Sequence, residues 1–372
     1  MIHHSRQAFV LGVALLAAPA LAVMPQRSSA NPAAAGTARI VAEAQAVLSS
    51  LDAAERAKVQ FRWDDTEQRR RWSNFPSPMF ERQGLRLGDT TDAQRAAIMK
   101  LLQAALSANG YRKVTEIMRG DEVLKSTDGG RGPRGGGPPQ GGPPPGGGPP
   151  PGGPGRGRGP GGGLTFGQDQ YWLAFLGTPS TTTPWMLQFG GHHLAINLTI
   201  GGADASMTPS LPAAQPASYT FEGREVRPLG QENDKAFALI NALDDAQRKQ
   251  AILTYRVADL VLGPTQDGKT IQPEGIKAAA LTPKQQDMLL DLVKEWAGIV
   301  TDAYGEPRMA ELRANLLQTY FTWSGPTTNG SAAYFRIQGP TLVIEYAPQG
   351  SVDHIHTIYR DPTNDYGARF AK

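Results

Sequence analysis

Two pairs of histidines are the residues of this 372-residue sequence best suited to chemistry. After the first few residues, the histidines are His192 and His193, which are adjacent, and His354 and His356, which are one residue apart. Imidazole binds metals and can carry a proton near neutral pH. Residues two apart on an extended strand share a face, so His354 and His356 are placed to grip one metal ion or one anion. Two hydrogen-bonded or solvated imidazoles are the competing interpretation.

The adjacent pair is harder to interpret. Neighbouring residues of a regular strand face opposite sides, so we expect only one of His192 and His193 at a shared site. His193 begins the more polar face of the following strand, which favours it, whereas His192 begins the apolar face and suits a site inside the sheet. Gly190 and Gly191 allow a bulge that would change this geometry. A purely structural role for the pair is the alternative.

Two charged residues near the second pair are candidates for catalysis. Glu345 lies in the apolar strand segment Leu342–Tyr346, where a carboxylate is costly to bury unless it is paired or metal-bound. We expect it to be a ligand or a general base, or else an exposed residue on an edge strand. Arg360 could stabilise an anionic intermediate. Histidines with one carboxylate are typical of zinc, copper and non-haem iron enzymes, so the predicted cofactor is a divalent transition metal.

A basic and aromatic segment, residues 69–76, offers a weaker candidate. In the simplest interpretation, Trp72 and Phe75 pack on the core and the arginines are solvated. Alternatively, Arg71 binds a carboxylate or phosphate group of a substrate. The alternation of residue types around Glu116 predicts a strand that would bring a further carboxylate towards the site.

The N-terminus has the pattern of a secretory signal peptide. Arg6 precedes an apolar run over residues 8–18, too short to cross a bilayer, and Ala20-Leu21-Ala22 has the small-x-small pattern of a cleavage site. We therefore predict a signal peptide over residues 1–22, a flexible stretch over residues 23–36, and a periplasmic or secreted protein without a later membrane span. The sequence contains no cysteine. This excludes disulfides, thiolate metal sites and a catalytic cysteine.

Residues 129–163 contain 19 glycines and 11 prolines. This composition predicts a disordered insertion, because it offers nothing to bury. Its four arginines could contact nucleic acid or an anionic surface, but a surface loop kept soluble by charge is the simpler explanation. Together with Arg6 these arginines carry more positive charge than the formal net charge of +3, so the rest of the chain is not basic. No specific nucleic-acid partner is predicted.

The two halves of the chain share landmarks in the same order and at similar spacing. The landmarks are an aspartate N-cap at Asp52 and at Asp244, a second helix start at Gln94 and at Gln285, and a strand start at Tyr171 and at Tyr334, each before a histidine pair. We predict an α+β fold of two tandem-duplicated modules, in which helices precede antiparallel strands. The modules would span residues 37–230 and 231–372 and pack as one unit.

Several phrases of the sequence resemble the domain of unknown function 3500 family, DUF3500, of bacterial and fungal proteins. The phrases are Gly190–Leu194, His354–Gly367, Arg71–Pro76 and Tyr171–Gly177. The resemblance runs from about Ala38 to Phe370 without the insertion. The family name carries no established activity, so the resemblance supports the choice of residues and implies no reaction.

Two functions are compatible with these residues. The first is an exported metal-dependent enzyme, hydrolase-like or oxygenase-like, whose histidine and glutamate site is shared between the halves and acts on an unidentified small molecule or peptide. The second is a non-catalytic periplasmic protein that binds a metal or a small ligand without turnover. A structural module with hydrogen-bonded histidines is a third interpretation. The sequence does not determine the oligomeric state.

Overall fold

The computed structural model describes residues 1–2, 31–128 and 164–370. The insertion at 129–163 and nearly all of the predicted signal peptide lie outside these residues. Within the stretch expected to be flexible, a helix begins at Pro32, because the Asn31 side chain accepts a hydrogen bond from the Ala33 N–H and proline fits the first turn. In the described ranges, no helix is both long enough and apolar enough to span a membrane.

The helices of the first half begin at caps that the sequence encodes. Asp52 with Glu55, and Thr91 with Gln94, form capping boxes in which the side chains bond reciprocally to each other's backbone N–H groups. The helices are α1 (Pro32–Ser50), α2 (Ala53–Val59), α3 (Thr66–Arg69), α4 (Asp92–Ala105) and α5 (Ala108–Asp128).

The strand predicted around Glu116 is wrong, because this residue lies within α5. The buried apolar residues here are Val114, Ile117 and Met118, which follow the spacing of one helix face rather than the alternation of a strand. The alternation seen in the sequence is therefore part of a helical pattern.

The strands of the first half form one sheet and a separate hairpin. They are β1 (Gln60–Phe61), β2 (Leu85–Arg86), β3 (Tyr171–Leu176), β4 (Trp185–Gly191), β5 (Leu194–Gly201), β6 (Asp204–Ser206), β7 (Leu211–Pro212), β8 (Tyr219–Phe221) and β9 (Arg224–Val226). The sheet has the order β1-β3-β4-β5-β6, with β2 beside β3 and β7 beside β5, and β8 pairs with β9. Among the described strands of this half, only the β1–β3 pair is parallel.

The second half has fewer strands and a simpler sheet. Its elements are α6 (Gly230–Ala242), α7 (Asp245–Ala251), β10 (Ile276–Lys277), α8 (Pro283–Ala297), α9 (Asp302–Ala314), β11 (Tyr320–Ser324), β12 (Tyr334–Gly339), β13 (Leu342–Pro348) and β14 (Ile355–Arg360). The five strands form an antiparallel sheet in chain order. The mixed α+β class with largely antiparallel strands is confirmed.

The halves also share an order of elements. In each, a capped short helix is followed by a two-residue strand, a 3-10 turn, a capped longer helix and another helix, before the main strands begin. The first half also has β1 and α3 between its capped short helix and β2. The strand next to β2 is β3, whereas the strand next to β10 is β11. Tyr171 begins β3 but Tyr334 begins β12, so these two landmarks mark different strands when the halves are aligned on their short strands.

Helices cover one face of each sheet. A smaller hydrophobic cluster lies between the two sheets. Along β5, Leu194, Ile196, Leu198 and Ile200 belong to the core that includes α1 and α4, while Ala195 belongs to a separate cluster. That cluster joins Met186 of β4 to Ile358 of β14, so it connects the two sheets. The described residues from Asn31 onward form one compact unit.

Candidate metal centre

The segment around β7 brings the two histidine pairs together. On one edge, the Ala213 N–H donates to the His193 carbonyl at 2.8 Å. On the other edge, Ala214 and Ile355 exchange two backbone hydrogen bonds of 2.9 Å each. Because this segment is hydrogen-bonded on both edges, it holds the start of β5 beside the start of β14.

His192 and His193 form the two-residue turn between β4 and β5, where Gly191 pairs with Leu194. His193 has a φ of 59°, a left-handed conformation that costs a non-glycine residue roughly 1–2 kcal/mol. The two imidazole rings stack, with centroids 3.7 Å apart. The prediction that they face opposite ways is therefore wrong, because the residues occupy a turn and not a regular strand.

The Nε2 atoms of His193, His354 and His356 converge on one place. His193 Nε2 lies 3.0 Å from His354 Nε2, which lies 3.1 Å from His356 Nε2. Ligand nitrogens of all three rings lie within 4.8 Å of one another. A tetrahedral ion with bonds of about 2.0–2.1 Å holds its ligand nitrogens about 3.3–3.4 Å apart. The imidazole cluster of these three residues therefore has the spacing to bind one metal ion.

The imidazole cluster is buried but has one more accessible side. His193 and His356 are buried, whereas His354 is partly exposed. Burial, reinforced by the neighbouring imidazoles, lowers the pKa of His193 well below its usual value and lowers the pKa of His354 to about 4. The neutral ring is the form that binds metal ions, so both rings suit a cation at neutral pH.

Two residues outside the cluster contact His356. Asp259 Oδ1 lies 3.3 Å from His356 Nδ1, and the amide nitrogen of Asn74 lies 3.1 Å from His356 Nε2. Although burial acts in the opposite direction, the hydrogen bonds from His356 and the Leu260 N–H lower the pKa of Asp259. A carboxylate on the far nitrogen of a histidine fixes the tautomer that leaves the other nitrogen free for a metal.

His192 has a different partner from His193. Its Nδ1 lies 2.6 Å from Asp121 Oδ1, and the other Asp121 oxygen accepts a hydrogen bond from the Gly167 N–H at 2.9 Å. Phe166 packs against the same ring, with centroids 5.0 Å apart. His192 therefore supports the His193 ring from behind and does not contribute a nitrogen to the imidazole cluster.

Glu345 lies on β13, an interior strand between β12 and β14, and is fully buried. Its carboxylate accepts hydrogen bonds from the Val261 N–H at 2.9 Å, the Leu262 N–H at 2.7 Å and the Tyr334 hydroxyl at 2.6 Å. Burial raises the pKa of Glu345 despite these bonds. The exposed edge-strand alternative does not fit this position, and the carboxylate contacts a loop, residues 259–263, rather than the imidazole cluster.

Arg360 contacts the same loop from its carbonyl side. Its guanidinium donates to the Leu262 carbonyl at 2.7 Å and to the Gly263 carbonyl at 3.0 Å. It also pairs with Asp365 at 2.8 Å and Asp267 at 3.1 Å. Glu345 and Arg360 thus hold opposite polar groups of the loop that carries Asp259.

Sequence reasoning missed three residues that surround the imidazoles: Asn74, Asp121 and Asp259. Asn74 belongs to the segment of residues 69–76 that was noted for its arginines and aromatic residues. Asp121 lies in α5, near the part of the helix that was read as a strand. Asp259 lies in a loop without any periodic pattern, so no signal in a single sequence points to it.

No curated protein and no solved structure matches this chain. A family model described as a protein of unknown function, DUF3500, matches residues 33–368. The matched region contains the imidazole cluster together with Asn74, Asp121 and Asp259. The chain therefore belongs to the DUF3500 family, whose function is not known.

Proposed function

We propose that this protein is an exported metal-dependent enzyme, of the hydrolase or oxygenase type, that binds one divalent transition metal ion. The observation that carries the proposal is that His354 Nε2 lies 3.0 Å from His193 Nε2 and 3.1 Å from His356 Nε2, with ligand nitrogens of all three rings within 4.8 Å of one another. Catalytic zinc sites typically use three protein ligands and leave a fourth position for water or substrate, whereas structural sites use four. Zinc, copper and iron all accept imidazole ligands.

The surrounding residues have separate roles in this proposal. Asp259 orients His356 through Nδ1, while Asn74 places an amide group beside Nε2 of the same ring. A bound ion would supply an acidified water or an oxygen-binding position. Glu345 and Arg360 act as positioning residues, since both hold the loop that carries Asp259. The signal-peptide pattern supports export to the periplasm or the exterior.

We further propose that the two halves arose by tandem duplication. The shared order of capped helices, short strands and 3-10 turns supports this proposal. The histidines follow β4 in the first half and β13 in the second. Aligned on β2 and β10, these strands are not equivalent, so the metal centre would have arisen after the duplication and not by copying one histidine pair.

A non-catalytic metal-binding protein is the second candidate. The hydrogen bonding of Glu345 favours it, because three donors from the fold already use its carboxylate and leave it unsuited to act as a base. In this alternative the ion would be captured and held without turnover.

Elemental analysis of the purified mature protein tests the metal proposal. We expect near-stoichiometric transition metal in the wild type and a large loss in a variant that combines His354→Ala with His356→Ala. His192→Gln is the matched control, since it removes a neighbouring imidazole that lies outside the cluster. Equal metal content in the wild type and the double variant would refute the proposal.

Activity of the metal-loaded protein separates the enzyme from the binding protein. The assays are hydrolysis of ester, phosphoester and amide substrates, and oxygen consumption with small organic substrates. Turnover that is lost in the double variant and retained in His192→Gln supports an enzyme. Tight stoichiometric metal binding without turnover in any assay favours the binding protein.

A further inference from the structure

A small cavity lies where the segment of residues 68–83 covers the first sheet. Its polar lining includes Gln68, Arg71 and Arg82, and two tryptophans, Trp72 and Trp172, provide apolar walls. The volume of the cavity is about 30 Å³. Roughly 10–15 Å³ by this measure holds one water, so the cavity has room for a small ion.

Three side chains of this lining have a buried polar atom without a hydrogen-bond partner: Gln68 Oε1, Arg71 Nε and Arg82 Nη1. Buried polar atoms in native proteins nearly always have a partner, which is either protein or an ordered small molecule. Three such atoms on residues that line one cavity indicate a missing ligand. The ligand must accept two hydrogen bonds and donate one.

The orientation of the Gln68 amide follows from a chain of amides that ends at backbone carbonyls, which only accept. Asn197 donates through Nδ2 to the Pro209 carbonyl at 2.8 Å, so its oxygen accepts from Gln188 Nε2 at 3.1 Å. Gln188 Nε2 also donates to the Arg69 carbonyl at 3.0 Å. The Gln188 oxygen therefore accepts from Gln68 Nε2 at 3.1 Å, which leaves Gln68 Oε1 as a free acceptor.

The positive charge of the arginines at the cavity also indicates that the missing ligand is an anion. Nη2 of Arg82 donates to the carbonyls of Ser73, Phe75 and Gly191 at 2.7–2.8 Å, and within the described part of the chain no carboxylate pairs with this guanidinium. Burial lowers the pKa of Arg82 to about 10. The ion-pair partner of Arg71 is Glu67, whose side chain is 80% exposed and outside the cavity lining. A partly buried cation without a carboxylate partner is stabilised by an anion beside it, so an anion would stabilise this region.

We propose that this cavity binds a small oxyanion that also carries a hydroxyl group, either bicarbonate or a 2-hydroxycarboxylate such as glycolate. Its oxygens accept from Arg71 Nε and Arg82 Nη1, and its hydroxyl donates to Gln68 Oε1. This site is distinct from the imidazole cluster and does not depend on a bound metal. Arg82 connects the two regions only through the backbone, since it donates to the carbonyls of Ser73 and Gly191, which precede Asn74 and His192 in sequence.

Isothermal titration calorimetry of the mature full chain with sodium bicarbonate, sodium glycolate and sodium acetate, at constant ionic strength, tests the proposal. We expect bicarbonate or glycolate to bind at least tenfold more tightly than acetate, which lacks the donor. Whichever of the two binds identifies the ligand. Arg71→Gln should weaken binding at least tenfold, while Arg70→Gln, which removes the same charge at an exposed neighbour, should leave it unchanged.

Two further variants keep the test decisive. In Gln68→Met the bound hydroxy acid or bicarbonate should lose its advantage over acetate, because the acceptor is gone. The combined His354→Ala and His356→Ala variant should bind the anion as the wild type does. The proposal is overturned if none of the anions binds, if Arg71→Gln binds as tightly as the wild type, or if binding disappears with the two histidines, since the anion would then be a metal ligand.

Discussion

Two clusters of buried ionisable groups join the halves of this chain, and they differ in what completes them. In the first, Lys113 of α5 donates to the carboxylate of Glu232 in α6 and to the carbonyl of Glu295 in α8, the latter at 2.8 Å. In the second, His193 of the first half meets His354 and His356 of the second half. Both clusters are largely buried.

The difference lies in the sign of the groups. In the Lys113 cluster, a cation lies between carboxylates, so opposite charges within the chain compensate one another. In the imidazole cluster, three rings of the same kind face one another, and burial keeps the pKa of His193 and His354 low. The charges of the first cluster are compensated without a ligand, although Glu232 Oε2 has no hydrogen-bond partner among the described residues. The second brings imidazole nitrogens close together and, under the function proposed above, would be completed by a cation from outside.

Removing the cation of the Lys113 cluster should have the largest effect on stability. Lys113→Met leaves Glu232 without its partner in a fully buried position. Loss of one member of a buried ion pair costs about 3–5 kcal/mol. We expect this decrease in the free energy of unfolding, measured by urea denaturation.

The matched control adds Glu232→Leu to Lys113→Met. Replacing a buried pair by apolar residues is often nearly neutral, so the double variant should regain most of the lost stability. A single Lys113→Met variant as stable as the wild type would show that this cluster is not completed by internal charge, and the contrast with the imidazoles would fail.

Replacing a ring of the imidazole cluster should affect metal binding more than folding. His193→Asn keeps a residue that tolerates the left-handed turn and removes one ligand nitrogen. We expect metal affinity to fall about 100-fold, roughly 2.7 kcal/mol, in competition with a chelator. The metal-free variant should unfold within about 1 kcal/mol of the metal-free wild type, because the lost ring has no charged partner.

The control for this variant is His192→Gln, which leaves all three cluster nitrogens in place. Equal metal affinities of His193→Asn and the wild type would contradict the assignment of His193 as a ligand. If the free energy of unfolding of the metal-free variant fell by several kcal/mol, the imidazole cluster would instead stabilise the fold without a metal, as the Lys113 cluster does.

Sequence patterns predicted the parts of this fold that local physics controls. The caps at Asp52 and Asp244 are encoded by side chains that bond to their own helix, so a few adjacent residues suffice. The strands that begin at Tyr171 and Tyr334 were predicted from their aromatic starts and the turn residues that follow. The exposure of Phe75, expected in the core but 47% exposed, was missed because burial depends on segments distant in sequence.

The candidate site was predicted only in part, for the same reason. His354 lies just before β14 and His356 lies within it, and their Nε2 atoms are 3.1 Å apart, as their spacing indicates. The choice between His192 and His193 depended on a turn that alternation cannot reveal, and the environment of Glu345 depended on a loop more than 80 residues away in sequence. Asp259 contacts His356 across a similar separation. Such contacts are tertiary, and a single sequence carries no local signal for them.

Asp259 offers a smaller test of how the imidazole cluster is held. Asp259→Asn weakens the acceptor at His356 Nδ1 without removing a proposed ligand. Loss of such a partner typically reduces metal affinity 10–100-fold, and we expect the lower end, about tenfold, because the 3.3 Å contact is long. Asp353→Asn is the control, since it removes the same charge beside His354 without contacting a ring. If both variants bind metal equally well, Asp259 has no role in the centre.

The smallest expected effect is the change with pH in the stability difference between the wild type and Glu232→Gln. Burial raises the pKa of Glu232 above its ordinary value of 4.5, even though Lys113 acts to lower it. A carboxyl group with a raised folded-state pKa contributes stability that is present below the unfolded value and is lost as the pH rises through the folded value. Glu232→Gln has no proton to lose at this position.

The wild type should therefore lose stability relative to Glu232→Gln as the pH rises from about 4.5 towards 7, by roughly 1.4 kcal/mol for each unit of pKa shift. Urea denaturation of both proteins at several pH values measures this difference. Glu295 is present in both proteins, so its own titration largely cancels. A wild type that gains stability relative to Glu232→Gln over this range would show that Lys113 lowers the pKa of Glu232 by more than burial raises it. The Lys113 cluster would then be a stronger ion pair than the burial of Glu232 indicates.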